Sequence, residues 1–214
     1  MATYRRIALF LAILVACMIM VSKDTRAGWI HNTTILQVLQ VSATPMTEVR
    51  VLTTIKLGIG PKDKEGFLLK MKNANIKIDK GADQILSNPL FTLTQKECEV
   101  DLVVVTPSDL GFSDKASYRK IYKKAKKIGL ELCPPDVGPQ LQMQYIVEPM
   151  GERLIIGMVP LTDPYNCLGV FFVEHDEEGF WLESHWGDKN DLSFWPDNQL
   201  VFVRPRKSAL PADK

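Results

Sequence analysis

The stretch LGVFFVEHDEEGFWLESHW, residues 168–186, decides the fold. Two runs rich in aromatic and β-branched residues, which are typical of strands, flank a polar centre. The dipeptide Glu178-Gly179 in that centre is a turn signal. The pattern therefore predicts a β-hairpin in the last third of the chain.

Strand patterns continue on both sides of this hairpin. In the last third, LQMQYIV (141–147) alternates apolar residues with glutamines, and RLIIGMV (153–159) and QLVFVR (199–204) are apolar and bounded by turn residues. Earlier in the chain, EVRVLTTIKLGIG and FTLTQKECEVDLVVVT are rich in β-branched residues. We expect most of these strands to pair in an antiparallel sheet.

Helical spacing is found before and between the earlier strands. Phe67, Leu68 and Met71 recur at helical intervals, and KGADQILS predicts a second short helix that Asn88-Pro89 ends. The clearest helical pattern runs over residues 114–128. We therefore predict an α+β fold, with a mostly antiparallel sheet in the C-terminal third and two or three helices in the N-terminal half of the domain.

Composition limits the classes of function. The chain has 214 residues, of which 46% are hydrophobic and 24% charged, as is usual for a globular protein. Its formal net charge of +1 gives no overall attraction to nucleic acid or acidic membranes. Four cysteines are present without CxxC spacing, which argues against a zinc ribbon or a thioredoxin-like site. We predict no cofactor and no metal site.

The first 27 residues indicate membrane targeting. An apolar run, IALFLAILVACMIMV (7–21), follows Arg5 and Arg6, as in a signal peptide or a short membrane anchor. Three fates stay open: retention, cleavage after Ala27, or lipidation at Cys17, where Leu-Val-Ala-Cys resembles a lipobox. A misassigned start codon would instead give a cytoplasmic protein. The predicted location is the bacterial inner membrane or the space beyond it.

The remaining boundaries follow from composition. Residues 28–45 are predicted to be a connector, residues 46–207 a single α+β domain, and residues 208–214 a flexible tail.

Four motifs occur in a fixed order: VDLVVVTPSDLGF, then GLELCPPDVGPQLQMQY, then ERLIIGMVPLTD, then QLVFVRPRK. This order resembles that of a group of small bacterial proteins without a known activity. The resemblance covers about Thr53 to Lys207, and it implies one domain. It supplies no catalytic residues and no ligand.

Histidines and carboxylates near the hairpin are the candidates for catalysis. If the two strands pair around Glu178-Gly179, His175 and His185 could approach each other near a carboxylate, as hydrolysis would require. The neighbouring carboxylates are Glu174 and Glu183. Alternation, however, places Glu183 and His185 on the outer face of their strand, where such residues are ordinarily solvated. No catalytic residue is therefore assigned, and an enzyme is not the favoured interpretation.

Tryptophans are concentrated in GFWLESHWGDKNDLSFW (179–195). Aromatic rings cover the apolar faces of sugars, and short polar side chains bind sugar hydroxyls. The predicted ligand-binding residues are Trp181, Trp186, Trp195, Asp188 and Asn190. The alternative is that the rings fill the edge of the sheet.

A basic stripe runs along residues 114–128. It includes Lys120, Lys123, Lys124 and Lys127, which could contact phosphates of nucleic acid or of lipid headgroups. No aromatic side chain accompanies the lysines on that face, so nucleic acid is not an expected partner.

These features together predict a membrane-targeted or exported binding module. Its expected ligand is a polysaccharide or another component of the cell envelope, and the N-terminal segment is expected to contact the membrane. A hydrolase with a site around His175 and His185, and a cytosolic nucleic-acid binder acting through the basic helix, are the alternatives.

Overall fold

The computed structural model describes residue 49, residues 51–163 and residues 165–206. All of them belong to one compact unit, Met46–Lys214. The predictions for residues 1–27, Cys17, residues 28–45 and residues 208–214 lie outside the described residues. None of the described helices is long and apolar enough to span a membrane.

Four helices and ten strands make up the described ranges. The helices are α1 (Lys64–Asn73), α2 (Lys80–Ser87), α3 (Tyr118–Lys127) and α4 (Val137–Gln144). The strands are β1 (Val51–Leu57), β2 (Lys77–Ile78), β3 (Cys98–Val105), β4 (Ala116–Ser117), β5 (Arg153–Ile156), β6 (Leu161–Thr162), β7 (Cys167–Asp176), β8 (Gly179–Lys189), β9 (Ser193–Phe194) and β10 (Gln199–Arg204).

Eight of these strands form one mixed sheet. The order across it is β1-β3-β10-β5-β7-β8-β2, and β6 pairs with β7. β5 runs parallel to β10 and β2 runs parallel to β8, whereas the other pairings are antiparallel. β4 and β9 form a separate ribbon. This architecture confirms the α+β class.

The two faces of the sheet are covered differently. On one face, which we call the helix face, Gly138 of α4 packs against Phe171, and Gly81 of α2 packs against Ser184. On the other, the open face, α3 contacts β10, where the rings of Tyr122 and Phe202 lie 5.7 Å apart. The open face over β5, β7 and β8 carries charged, half-exposed side chains.

Side-chain caps explain where the two N-terminal helices begin. The Asp63 carboxylate accepts a hydrogen bond from the Gly66 N–H at the start of α1, and Asp79 accepts one from the Ala82 N–H at the start of α2. α2 covers KGADQILS and ends at Asn88, as the sequence predicts.

The strand predicted for LQMQYIV is wrong, because this segment continues α4. Its glutamines do not face solvent: Gln142 is buried, and Gln144 pairs with both the N–H and the C=O of Lys56 on β1. Leu141 and Tyr145, four residues apart, are buried instead. The apolar and polar alternation therefore does not mark a strand, since the side-chain amides of Gln142 and Gln144 both form hydrogen bonds within the protein.

The basic helix is shorter than predicted. α3 begins at Tyr118, because Ala116 and Ser117 pair with Phe194 and Ser193 as β4 and β9. Its predicted apolar side is buried at Ile121, at Tyr122 and at Ala125.

Candidate functional site

The two candidate histidines do not meet. β7 and β8 form the predicted hairpin, in which His175 pairs with Phe180 and His185 pairs with Val170. The imidazoles are thus five residue positions apart along the hairpin, about 17 Å at the usual strand rise. They also lie on opposite faces, because successive residues of a strand alternate. A hydrolytic site that uses both imidazoles is not assembled.

His175 has a structural environment on the helix face. Its Nδ1 lies 2.8 Å from the Glu148 carbonyl oxygen, to which it donates, and its ring stacks on Phe180 with centroids 4.2 Å apart. These contacts tie the end of β7 to the segment that precedes β5.

The five predicted ligand residues do not share one surface. Trp181 lies on the open face, whereas Trp186 lies on the helix face, where its ring packs against Gly169 and its Nε1–H donates to Ser184. Trp195 is 56% exposed beyond β9, with the Lys115 ammonium 5.5 Å from its ring centroid. The three rings therefore cannot act as one platform.

Asp188 and Asn190 lie at the far end of β8. Both are exposed, and Asn190 adopts a left-handed turn conformation with φ of 63°. Its carbonyl oxygen accepts a hydrogen bond of 3.0 Å from Arg119. These two residues shape a turn next to α3 and are remote from Trp181.

The basic stripe is fully displayed on α3. Lys120, Lys123, Lys124 and Lys127 are all exposed, and none forms an ion pair with another described residue. Solvated lysines of this kind are ordinary on a helix, so the nucleic-acid alternative stays a prediction.

Four of the predicted residues do come together. Cross-strand pairing places Glu174 beside Trp181, and the same face continues along β8 through Glu183 to His185. On the neighbouring strand, Arg153 pairs with Glu174. We call these five residues the open patch: Arg153, Glu174, Trp181, Glu183 and His185.

Arg153 organises the charges of the open patch. Its Cζ lies 3.8 Å from the centroid of the buried Phe172 ring, and its Nε lies 4.0 Å from a carboxylate oxygen of Glu174. A guanidinium that stacks on a ring is held in place while its N–H donors stay available. The exposed fraction of its side chain is 51%, so the donors reach solvent.

Burial shifts the pKa values of Glu183 and His185, the other two ionisable groups of the open patch, in opposite directions. Burial raises the pKa of Glu183, repulsion by Glu174 raises it further, and Arg153 opposes both. Burial lowers the pKa of His185, and the positive charge of Arg153 lowers it further. The imidazole is therefore mostly neutral at pH 7, and because the backbone of Ser193 forms a hydrogen bond with the ring, one ring nitrogen is left for a ligand.

The Trp181 ring is held in a fixed orientation. Its Nε1–H donates to Asp176 at 3.0 Å, and the Lys77 ammonium of β2 lies 4.7 Å from its centroid. Lys77 is itself paired with Glu178 at 2.9 Å. An aromatic ring fixed in this way loses little conformational entropy when a ligand packs against it.

Sequence analysis missed Arg153 and Phe172. RLIIGMV was correctly predicted to be a strand, but its position beside β7 depends on long-range pairing. Phe172 was interpreted only as part of an apolar run. The sequence signal for Phe172 is the alternation along β7, which places it on the same face as Glu174.

Cys133 is buried, which makes it a poor nucleophile. Burial raises the pKa of the Cys133 thiol strongly, and its Sγ lies 3.4 Å from the Val201 carbonyl oxygen. Among the described residues, no group of three or more His, Cys, Asp and Glu side chains could hold a metal ion.

The fold and the open patch define an α+β protein with a mixed sheet, one face of which is partly uncovered and charged. Comparison with known protein families, with curated proteins and with solved structures finds no match to this chain.

Proposed function

We propose that this chain is a membrane-targeted or exported binding module. Its ligand is a polysaccharide or another envelope component, and its ligand surface is the open patch. The observation that carries the proposal is the placement of a fixed tryptophan ring, two carboxylates, a guanidinium and an imidazole on one uncovered face.

The chemistry of the patch supports a sugar ligand. Aromatic rings cover the apolar C–H faces of pyranose rings, and charged groups form directional hydrogen bonds with hydroxyls. Arg153 supplies donors, Glu174 and Glu183 supply acceptors, and His185 supplies either. The carboxylates outnumber the guanidinium, which favours a neutral or cationic sugar over an acidic one.

Membrane targeting is supported by the sequence alone. Arg5 and Arg6 precede the apolar run of residues 7–21, as in export signals and short anchors. Intact mass of the full-length product in cytosolic, membrane and exported fractions tests this half of the proposal. A whole, Ala27-cleaved or Cys17-lipidated species outside the cytosol supports it, and a cytosolic species that starts at an internal methionine refutes it.

Ligand binding is tested with tryptophan variants. Full-length protein is mixed with insoluble envelope polysaccharides and with soluble glycans, and bound protein is quantified. We expect Trp181→Ala to weaken binding by about tenfold or more, equivalent to about 1.4 kcal/mol. Trp195→Ala is the matched control, because Trp195 is exposed but lies outside the open patch. Unchanged binding by Trp181→Ala would refute this surface.

A second candidate, glycoside hydrolysis, is favoured by one observation. Glu174 and Glu183 lie on neighbouring strands of the same face, and burial raises the pKa of Glu183. Two carboxyl groups, one of which stays protonated to act as the acid, are the usual machinery of glycosidases. Release of reducing ends that Glu183→Gln abolishes would support hydrolysis, whereas binding without turnover in the native protein would exclude it for that glycan.

A further inference from the structure

The segment 146–150, which we call the 146–150 loop, has the reverse of the usual burial pattern. Ile146, Val147 and Met150 are 76%, 75% and 67% exposed, whereas Glu148 between them is 3% exposed. Exposing three aliphatic side chains and burying a carboxylate both oppose folding. The surrounding structure must therefore hold Glu148 inward.

Among the described residues, the buried acceptor atoms around Glu148 outnumber the hydrogen-bond donors. Gln142 donates to one of its carboxylate oxygens at 2.9 Å. The other oxygen of Glu148, the side-chain oxygen of Gln142 and one oxygen of Glu152 are buried without a partner among the described residues. Three buried acceptor atoms on these side chains thus lack a donor, and a proton on Glu148 would supply one.

The groups around Glu148 also favour its protonated form. Burial raises the pKa of Glu148 to about 7, with repulsion from Glu152 and Glu174 adding to the rise and Gln142 and His175 opposing it. Burial likewise raises the pKa of Glu152, against a hydrogen bond from Tyr145. His175 on β7 and Gln142 on α4 oppose the rise in the pKa of Glu148, but burial remains the largest cause.

Backbone hydrogen bonds join the 146–150 loop and the adjoining Gly151 to two elements: the Glu148 N–H donates to the Tyr145 carbonyl oxygen at the end of α4 at 3.2 Å, and two bonds involve His175 on β7. Besides accepting from His175 through its Glu148 carbonyl, the loop donates from the Gly151 N–H to the His175 carbonyl at 2.7 Å. Movement of Glu148 out of its site would therefore strain or break these two bonds to β7.

We propose that Glu148 is a proton-operated latch for the 146–150 loop. With the proton bound, the neutral carboxyl stays buried beside Gln142 and the loop is closed against β7. When the proton is lost, repulsion by Glu152 and the cost of a buried charge drive the side chain outward. The bonds to His175 then break, and the exposure of Ile146, Val147 and Met150 changes. The latch uses Glu148, Glu152 and Gln142, none of which belongs to the open patch, and it does not rest on the proposed ligand.

The direction of the pH effect follows from the raised pKa. The native state holds the proton of Glu148 more tightly than the unfolded chain does, where a glutamate has a pKa of about 4.3. The stabilisation is complete below that value and is lost as pH rises through the native pKa of about 7. Opening of the loop accompanies that loss.

The experiment is an NMR titration of the full-length protein from pH 5 to pH 8.5. We expect the Glu148 side-chain carbonyl to titrate with a midpoint near 7, and the amides of residues 146–151 to follow the same midpoint. Amide hydrogen exchange at pH 8 gives a second measure. We expect the Gly151 amide to exchange about tenfold faster, or more, in the native protein than in Glu148→Gln.

Three variants separate the latch from general pH effects. Glu148→Gln mimics the protonated form and should remove the titration of the loop amides. Glu152→Gln keeps Glu148 but removes repulsion, so its midpoint should fall. Glu177→Gln, at the exposed turn of the hairpin, is the matched control and should leave the midpoint unchanged. If Glu148→Gln does not fold, Glu152→Gln alone decides the matter.

Several results would overturn the latch. These are a Glu148 midpoint below about 5.5, loop amides that do not follow Glu148, and a midpoint that Glu152→Gln leaves in place. Saturable shifts of the same amides on adding calcium at pH 8 would also overturn it, because they would assign the three oxygens to a metal ion instead of a proton.

Discussion

The helix face and the open face of the sheet are built from the same strands, yet different groups cover them. Phe171 on the helix face is completely buried between Gly138 and the ring of Phe91. Phe172, the next residue, faces the other way and is also buried, with the charged guanidinium of Arg153 stacked on its ring. Strand alternation creates two faces that both bury apolar side chains, but α2 and α4 cover the helix face, whereas the open face over β5, β7 and β8 also carries charged, half-exposed side chains.

This comparison shows where sequence change should be tolerated. A side chain between sheet and helix contributes both burial and shape, whereas a side chain of the open patch contributes mainly electrostatics at the surface. Stability should therefore depend on the helix face, and recognition on the open face.

Truncating Phe171 on the helix face should lower the free energy of unfolding more than any other change considered. Phe171→Ala leaves a cavity between α4 and β7, and we expect the free energy of unfolding to fall by about 3–5 kcal/mol. Urea denaturation measures the change. Tyr165→Ala is the control, because its ring is 75% exposed, and it should alter stability by less than about 0.5 kcal/mol. Equal effects of the two variants would contradict the burial described here.

Adding a methyl group at Gly138 should have the next largest effect. A Cβ there would lie 2.9 Å from the Cβ of Phe171, so α4 would have to move away from the sheet. We expect Gly138→Ala to cost about 1–3 kcal/mol, although alanine is the better helix former. The loss should shrink when Phe171→Leu supplies space, which a double-mutant cycle measures. If the losses of the two single variants add up in the double variant, Gly138 and Phe171 are not in contact.

Substituting Arg153 should change the open face without unfolding the protein. Arg153→Gln removes the charge that lowers the pKa of both Glu183 and His185. We therefore expect both pKa values to rise in an NMR titration, while stability changes by less than about 1 kcal/mol. Arg204→Gln is the control, because Arg204 pairs with Asp101 at 3.8 Å and lies at the end of β10 away from the residues that pair with β5. Unchanged pKa values of Glu183 and His185 would show that the charge of Arg153 does not act on either group.

Local patterns predicted many of the elements. The hairpin around Glu178-Gly179, the helix KGADQILS and the strand QLVFVR all occur where the sequence places them. In each, periodicity and turn residues agree with the tertiary environment. The strand prediction for LQMQYIV was wrong because Gln144 and Gln142 form hydrogen bonds with Lys56 and Glu148, two residues that lie outside this segment.

The candidate sites were harder to predict than the elements. Alternation correctly grouped Trp181, Glu183 and His185, because the period of a strand is a local property. The same period separates Trp186 from Trp181, whereas the face of His175 follows only from the register between β7 and β8. Arg153 reached the patch only through the pairing of β5 with β7.

The sequence by itself determined the α+β class, the hairpin, most helices and strands, and the apolar side of α3. These depend on residue spacing and turn chemistry within short segments. Only the tertiary structure decided which face of the sheet the helices cover, that the histidines are apart, and that Glu148 is buried while its aliphatic neighbours are exposed. The physical reason is that burial and electrostatic environment arise from contacts between segments far apart in the chain, which no local pattern encodes.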